Sequence, residues 1–291
     1  VRILDPHIHM TSRTTDDYEA MYAVGVRAVV EPAFWLGQPR SGVDSFRDYF
    51  DSLLGWERFR AAQFGIRHHA TIALNPKEAN DPRCREVLDL LPRYLAKDGV
   101  VAVGEVGYDA MTPAEDEVFA HQLALAREAG LPVLVHTPHR DKQAGTRRTL
   151  DVVRESGIDP GMVLVDHLNE TTVAAVRDAG AWAGFSIYPD TKMDERRMVA
   201  LLQEHGTERM IVDSAADWGR SDPLKTWRTG TAMLEAGFTE DDVDQVLWRN
   251  PVALFAQSGN LVLDPVPGFV PGDLPAPAEF AGSSVLRGVR A

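Results

Sequence analysis

Short apolar runs recur along this chain about every 30 residues, the span that one strand, one helix and their loops occupy. They are Ile3-Leu4, Val26 to Val30, Ala70 to Leu74, Val100 to Val103, Pro132 to Val135, Met162 to Val165, Trp182 to Phe185 and Met210 to Val212. Each is nearly continuous in Val, Ile, Leu and Ala, so each reads as a strand covered on both faces of a parallel sheet. Helical segments separate them. The clearest runs from Pro113 to Ala129, with Thr112 and Glu115 at capping-box spacing, Pro113 in the first turn and Gly130 just past the end. Phe119, Leu123 and Ala126 form its inward face, and Asn169 to Ala179 and Lys192 to His205, stopped by Gly180 and Gly206, read the same way. Strand and helix alternating in this manner predict an α/β fold, a (β/α)8 barrel of the TIM type in preference to an open doubly wound sheet.

The repeat occupies residues 1–257 as a single barrel domain, and residues 258–291 are a Pro-rich C-terminal extension carrying Pro265, Pro267, Pro271, Pro275 and Pro277. Without a helical period the extension is expected to cross the surface or to reach a neighbouring subunit, which makes a homo-oligomer one expectation. Composition narrows the partners. With 43 acidic against 30 basic residues the net charge is −13, which disfavours nucleic acid and leaves a small-molecule substrate. The lone Cys84 excludes an intramolecular disulfide and agrees with a reducing compartment. No apolar run approaches the roughly 18 residues of a membrane span and no signal pattern opens the chain, so the expected location is cytoplasmic, without a membrane.

His7 and His9 stand two apart directly after the first strand and therefore share a face. Polar residues collect at the same place on later strands: Glu105, His136, His167 and Asp213. That is the face on which barrel enzymes carry their chemistry. Singly each has a structural reading, as a satisfied core histidine, an Arg-paired glutamate or a helix-capping aspartate. Together, on five strands, they point to a metal centre, because a cation compensates carboxylates at a buried strand end. Around the same mouth, Trp35 and Arg40 lie after strand two, His139, Arg140 and Lys142 after strand five, and Lys192 after strand seven. These are the candidate substrate contacts, with Arg13 and Lys77 as further basic loop residues. His68, His69, His121 and His205 fall before a strand or within helices and read as structural or exposed.

His7-Ile8-His9, Gly104-Glu105-Val106-Gly107-Tyr108-Asp109, Pro132 to His136, His167 and Asp213 resemble the TatD-related metal-dependent hydrolases of the amidohydrolase superfamily, over roughly Arg2 to Gln257. The resemblance implies that His7 and His9 bind one metal, that His136 and His167 bind a second, and that Glu105 bridges them. It also implies that Asp213 binds the first metal and is the catalytic residue that carries the proton. Two divalent ions are then expected, with zinc the best match to mixed imidazole and carboxylate ligands and manganese or iron as alternatives. Leu168-Asn169-Glu170 and Ser214 to Gly219 depart from the family's usual turns, which leaves the substrate open.

The expected activity is hydrolysis of a small anionic metabolite, a phosphoester or a carboxylate-bearing amide or lactone, by hydroxide generated at the metals. A TatD-like deoxyribonuclease and a non-hydrolytic lyase or isomerase on the same barrel are the enzymatic alternatives. A metal-stabilised scaffold without turnover is the alternative from another class, and Asp213 speaks against it.

Overall fold

In the computed structural model, which describes residues 1–271, the strands lie side by side in chain order, every pair parallel. They are β1 (Ile3–Asp5), β2 (Val26–Pro32), β3 (Arg67–Ile72), β4 (Val100–Gly107), β5 (Val133–His136), β6 (Val163–Asp166), β7 (Trp182–Ser186) and β8 (Met210–Asp213). Helical segments alternate with them, giving a nearly closed (β/α)8 barrel. The seam between β8 and β1 is bridged just past the strand ends, where Ala215 N donates to His7 O and His9 N donates to Ala216 O, both at 2.8 Å. No helix among the described residues is long and apolar enough to cross a membrane.

The period of two along each strand sorts the side chains. Leu4, Ala28, Val30, Ala102, Leu134, Leu164 and Ile211 form an inner cluster, closed off by Trp248, Leu254 and Phe255. The larger outer cluster packs strand residues such as Val29, Val103, Val133 and Val165 against Phe119, Leu123 and Ala126 of the helix Pro113–Ala129. Burying one such aliphatic or aromatic side chain contributes about 1.5–3 kcal/mol, so this two-sided burial is what makes the short strands hold.

Some boundaries differ from the sequence reading. The third strand begins at Arg67, so His68 and His69 lie inside it and are buried rather than before it. Their polarity is absorbed locally: His68 Nε2 is 2.8 Å from Glu31 Oε2 of the adjacent strand, and His69 Nε2 donates to Val262 O at 2.9 Å. The segment expected to be helical from Asn169 is helical only over Val173–Asp178, because Asn169 Oδ1 accepts from Thr171 N at 2.9 Å and forms a turn instead. Likewise the helix expected from Lys192 starts at Glu195, where Asp194 caps it by accepting from Arg197 N at 2.8 Å, leaving Lys192 in the loop. Thr112 caps its helix as expected, but the Glu115 carboxylate turns to the N–H groups of Asp109, Ala110 and Met111.

The described part of the extension crosses the rim at the strands' N-terminal ends. Asn260 Nδ2 donates to Val100 O at 3.0 Å, Arg67 donates to Asp264 O and Pro265 O at 2.7 and 3.0 Å, and Phe269 meets the Tyr22 ring at 4.9 Å. Pro275 and Pro277 lie outside the described residues.

Candidate metal centre

At the opposite rim, the strand ends deliver the polar residues to one place. His7 Nε2 and His9 Nε2, just past β1, are 3.1 Å apart. Glu105 Oε1 of β4 reaches 3.6 Å from His7 Nε2, 2.9 Å from His136 Nδ1 and 3.2 Å from His167 Nε2. One carboxylate oxygen thus faces three imidazoles from three strand ends. Ligand atoms of His7, His9 and Glu105 lie within 4.8 Å of one another, as do those of Glu105, His136 and His167, and of His7, Asp166 and His167. All are buried.

Proton placement tests whether these residues suit a cation. His7 Nδ1 donates to Asp166 Oδ2 at 2.6 Å, which leaves the Nε2 lone pair facing His9 and Glu105. His9 Nδ1, His136 Nε2 and both carboxylate oxygens of Asp213 are buried without a hydrogen-bond partner. The atoms that do converge are His7 Nε2, His9 Nε2 and Glu105 Oε1, and electron-pair donors this close repel unless a proton or a cation lies between them, so the donor set fits a divalent metal.

The electrostatics agree. Burial alone would raise the Glu105 pKa, but the His136 and His7 imidazoles and the hydrogen bonds from His136 and His167 outweigh it and hold Glu105 well below the usual carboxylate range. Burial, followed by the field of His7, drives His9 far below the usual imidazole range and keeps it a neutral donor. Asp213 moves the other way: burial, then Asp166 and Asp5, raise it well above an ordinary aspartate. It ends β8 opposite Ser186 in register, outside the three ligand groups and off the cavity wall.

Above the cluster is a cavity of about 520 Å³ bounded by Phe34, Trp35, Lys77, His139, Lys192 and Trp218 together with the imidazoles. Trp35, His139 and Lys192, expected as substrate contacts, all line this cavity. Arg40 does not: it is buried, its Nε donates to Glu78 Oε1 at 2.7 Å, and Nη1 and Nη2 donate one hydrogen bond each to Ser45 O and Phe34 O. Its expected substrate role is corrected to a structural one, since the guanidinium is buried against Glu78 and does not line this cavity. Arg140 is exposed and outside the cavity wall, and Lys142 Nζ is turned to Thr137 O and Oγ1 at 3.2 and 3.1 Å. Arg13 is likewise taken up by Asp17 and by Asp217 O.

Sequence reasoning passed over two residues. Asp166 pairs in register with His136, so it holds on β6 the inward position that His136 holds on β5. The pattern Leu-Val-His at 134–136 and Leu-Val-Asp at 164–166 was the available signal. His167 follows it and reaches the cluster by adopting φ +61°. Asn75, in the loop after β3, donates to Glu105 Oε2 at 2.9 Å and orients the carboxylate. Nothing local in the sequence marks it.

A family model described as TatD-related DNase matches residues 4–256. An uncharacterized metal-dependent hydrolase of Methanocaldococcus jannaschii is 25% identical over 252 residues, covering 85% of this chain and 97% of that protein. The uncharacterized metal-dependent hydrolase TatD of Mycobacterium tuberculosis is 30% identical over 231 residues, covering 74% and 80%. Among solved structures, a TatD-like protein of Archaeoglobus fulgidus superposes with a TM-score of 0.72 at 25% identity, over 86% of this chain and 99% of that one. The phosphotriesterase homology protein of Escherichia coli, complexed with phosphate in its active site, shares the fold with a TM-score of 0.65 at 16% identity, over 87% and 98%.

Proposed function

The chain belongs to the TatD-related family and is a metal-dependent hydrolase, and from that premise we propose that its substrate is a small anion, either a phosphoester or a carboxylate-bearing amide or lactone. The observation that carries this reading is the position of Lys192 on the cavity wall beside the imidazoles, without a salt-bridge partner among the described residues, in a chain of net charge −13. Basic residues retained at the mouth of an acidic protein favour an anionic ligand over a neutral one.

His7 and His9 would hold one divalent cation and His136 and His167 a second, with Glu105 between them; zinc, manganese and iron all suit such ligands. Bound there, the cations supply Lewis acidity that brings the pKa of water from about 16 to near 7 and polarises the bond under attack. The chain does the rest. Asp166 and Asn75 fix the orientation of His7 and Glu105. Asp213, with both oxygens unpartnered, takes a proton at its carboxylate and returns it to the leaving group. Lys192 draws in and orients the anion.

The family's description supports a second reading, a deoxyribonuclease. Steady-state assays on metal-loaded protein with small phosphoesters, lactones and an oligonucleotide, over a salt series, separate the two. We expect small anionic esters to be turned over, inorganic phosphate to inhibit competitively and chelator to abolish activity. Turnover confined to the oligonucleotide, falling steeply with salt, overturns the small-anion reading.

A further inference from the structure

The cavity is chemically two-sided. Phe34 and Trp35, after β2, and Trp218, after β8, form one wall, with ring centroids 4.8 Å (Phe34–Trp218), 5.7 Å (Trp35–Trp218) and 6.2 Å (Phe34–Trp35) apart. Phe34 is stacked on His9 at 3.7 Å, so the wall begins on a candidate metal ligand. Trp218 lies against Gly37, where φ is +75° and an added Cβ would come within 3.4 Å of Trp218 Cζ2. Two loops distant in sequence are thus fitted together around an indole that remains 50% exposed. A contiguous aromatic surface left open to water inside a cavity marks a place that a ligand covers.

The cations flank this wall. Lys77 Nζ is 5.5 Å from the Trp35 ring and 2.6 Å from Asp109 Oδ1, while Lys192 Nζ lies 5.2 Å from the Tyr188 ring. Lys192 lines the same cavity as the His9 and His167 imidazoles. A ligand that covers the aromatic wall and answers Lys192 is a planar ring carrying a negative group.

We propose that Phe34, Trp35 and Trp218 form a subsite for an aromatic ring, and that the substrate is a small aromatic anion whose charged group lies beside Lys192 and the imidazoles. The inference deepens the small-anion reading above and rests on it for the charge alone. Offset or edge packing of a ring on this wall adds to the area buried, so ring-bearing ligands gain over aliphatic ones with the same charge.

The test is calorimetric titration of the metal-loaded protein with phenylphosphonate and with methylphosphonate, whose C–P bonds are not hydrolysed. We expect phenylphosphonate to bind at least about tenfold tighter, and this preference to fall below about threefold in Trp35→Leu/Trp218→Leu while methylphosphonate binding persists as the control for folding. Equal binding of the two by the parent, which needs no variant, overturns the subsite, as does a preference that survives the double substitution. Tighter binding of a single-stranded oligonucleotide, with steep loss in salt, also overturns the small-molecule assignment. Hydrolysis of phenyl phosphate is scored separately: ring preference without turnover upholds the subsite and drops the phosphoester, and turnover without ring preference does the reverse.

Discussion

His7 Nδ1, just past the first strand of the barrel, and Asp166 Oδ2, at the end of the sixth, lie 2.6 Å apart with both side chains buried. The contact decides which imidazole nitrogen of His7 carries its proton and therefore which one is free to bind a cation. It also ties together the ends of two strands far apart in sequence.

Asp166→Ala should weaken divalent-metal binding about 10–100-fold, the range for losing the partner of a ligating histidine. Asp166→Asn, which keeps an acceptor for His7, should fall between the two. Competition with a chromogenic chelator measures both, and unchanged affinity in the alanine variant would remove Asp166 from this role.

Gly184→Ala tests the same contact from the other side. A Cβ at Gly184 of β7 would stand 2.7 Å from Asp166 Oδ1 and 3.0 Å from Asp166 Cα, so the carboxylate must shift. Metal affinity should drop in the direction of the Asp166 variants. Full retention of metal affinity would show that the carboxylate is not held by this packing.

Asp213→Asn should preserve the fold, because the amide is isosteric with the carboxylate and Asp213 holds no salt bridge among the described residues. We expect kcat to fall by about 10²-fold or more, the scale for a positioned acid–base group. Metal content and Tm are measured alongside; full activity with metal bound would assign the proton to another residue.

Arg40→Ala should destabilise the protein by about 3–5 kcal/mol, since it leaves the buried Glu78 carboxylate without its partner. Denaturant unfolding reads the loss. A variant of parental stability with a KM raised for anions alone would restore Arg40 to the substrate site.

Glu31 and His68 form a buried pair with opposite shifts: burial pushes the Glu31 carboxyl up to about 8 and the His68 imidazole down to about 4. Between the usual histidine pKa and about 8 the unfolded chain has ionised Glu31 while the folded chain still holds its proton. The folded state then binds more protons, so stability falls as pH rises across this window, by roughly 2 kcal/mol at most. Below it, the depressed His68 adds stability as pH rises from about 4 to 6.5 and offsets the Glu31 loss, which begins at the ordinary carboxyl value of 4.5. Glu31→Gln, which cannot ionise, should flatten the decline between pH 6.5 and 8 in denaturation midpoints; an identical slope in the variant would show that Glu31 is already ionised in the folded protein.

The sequence by itself determined the barrel, because strands buried on both faces must be continuous apolar runs and their spacing leaves room for a crossover helix each time. It also determined which side chains meet at the candidate centre: His7, His9, Glu105, His136 and His167 stand at strand ends, and a parallel barrel brings all such ends to one rim. Strand three was displaced in the sequence reading because His68 and His69 interrupt its apolar run, and only Glu31 on β2 and Val262 in the extension make their burial tolerable. The tertiary structure alone decided that Arg40 serves Glu78, that Asp166 and Asn75 orient His7 and Glu105, and that Trp35 and Trp218 share one wall. Each of these is a contact between residues in different loops or strands. Side-chain partners across such distances follow from strand register and loop packing, which no periodicity along the chain records.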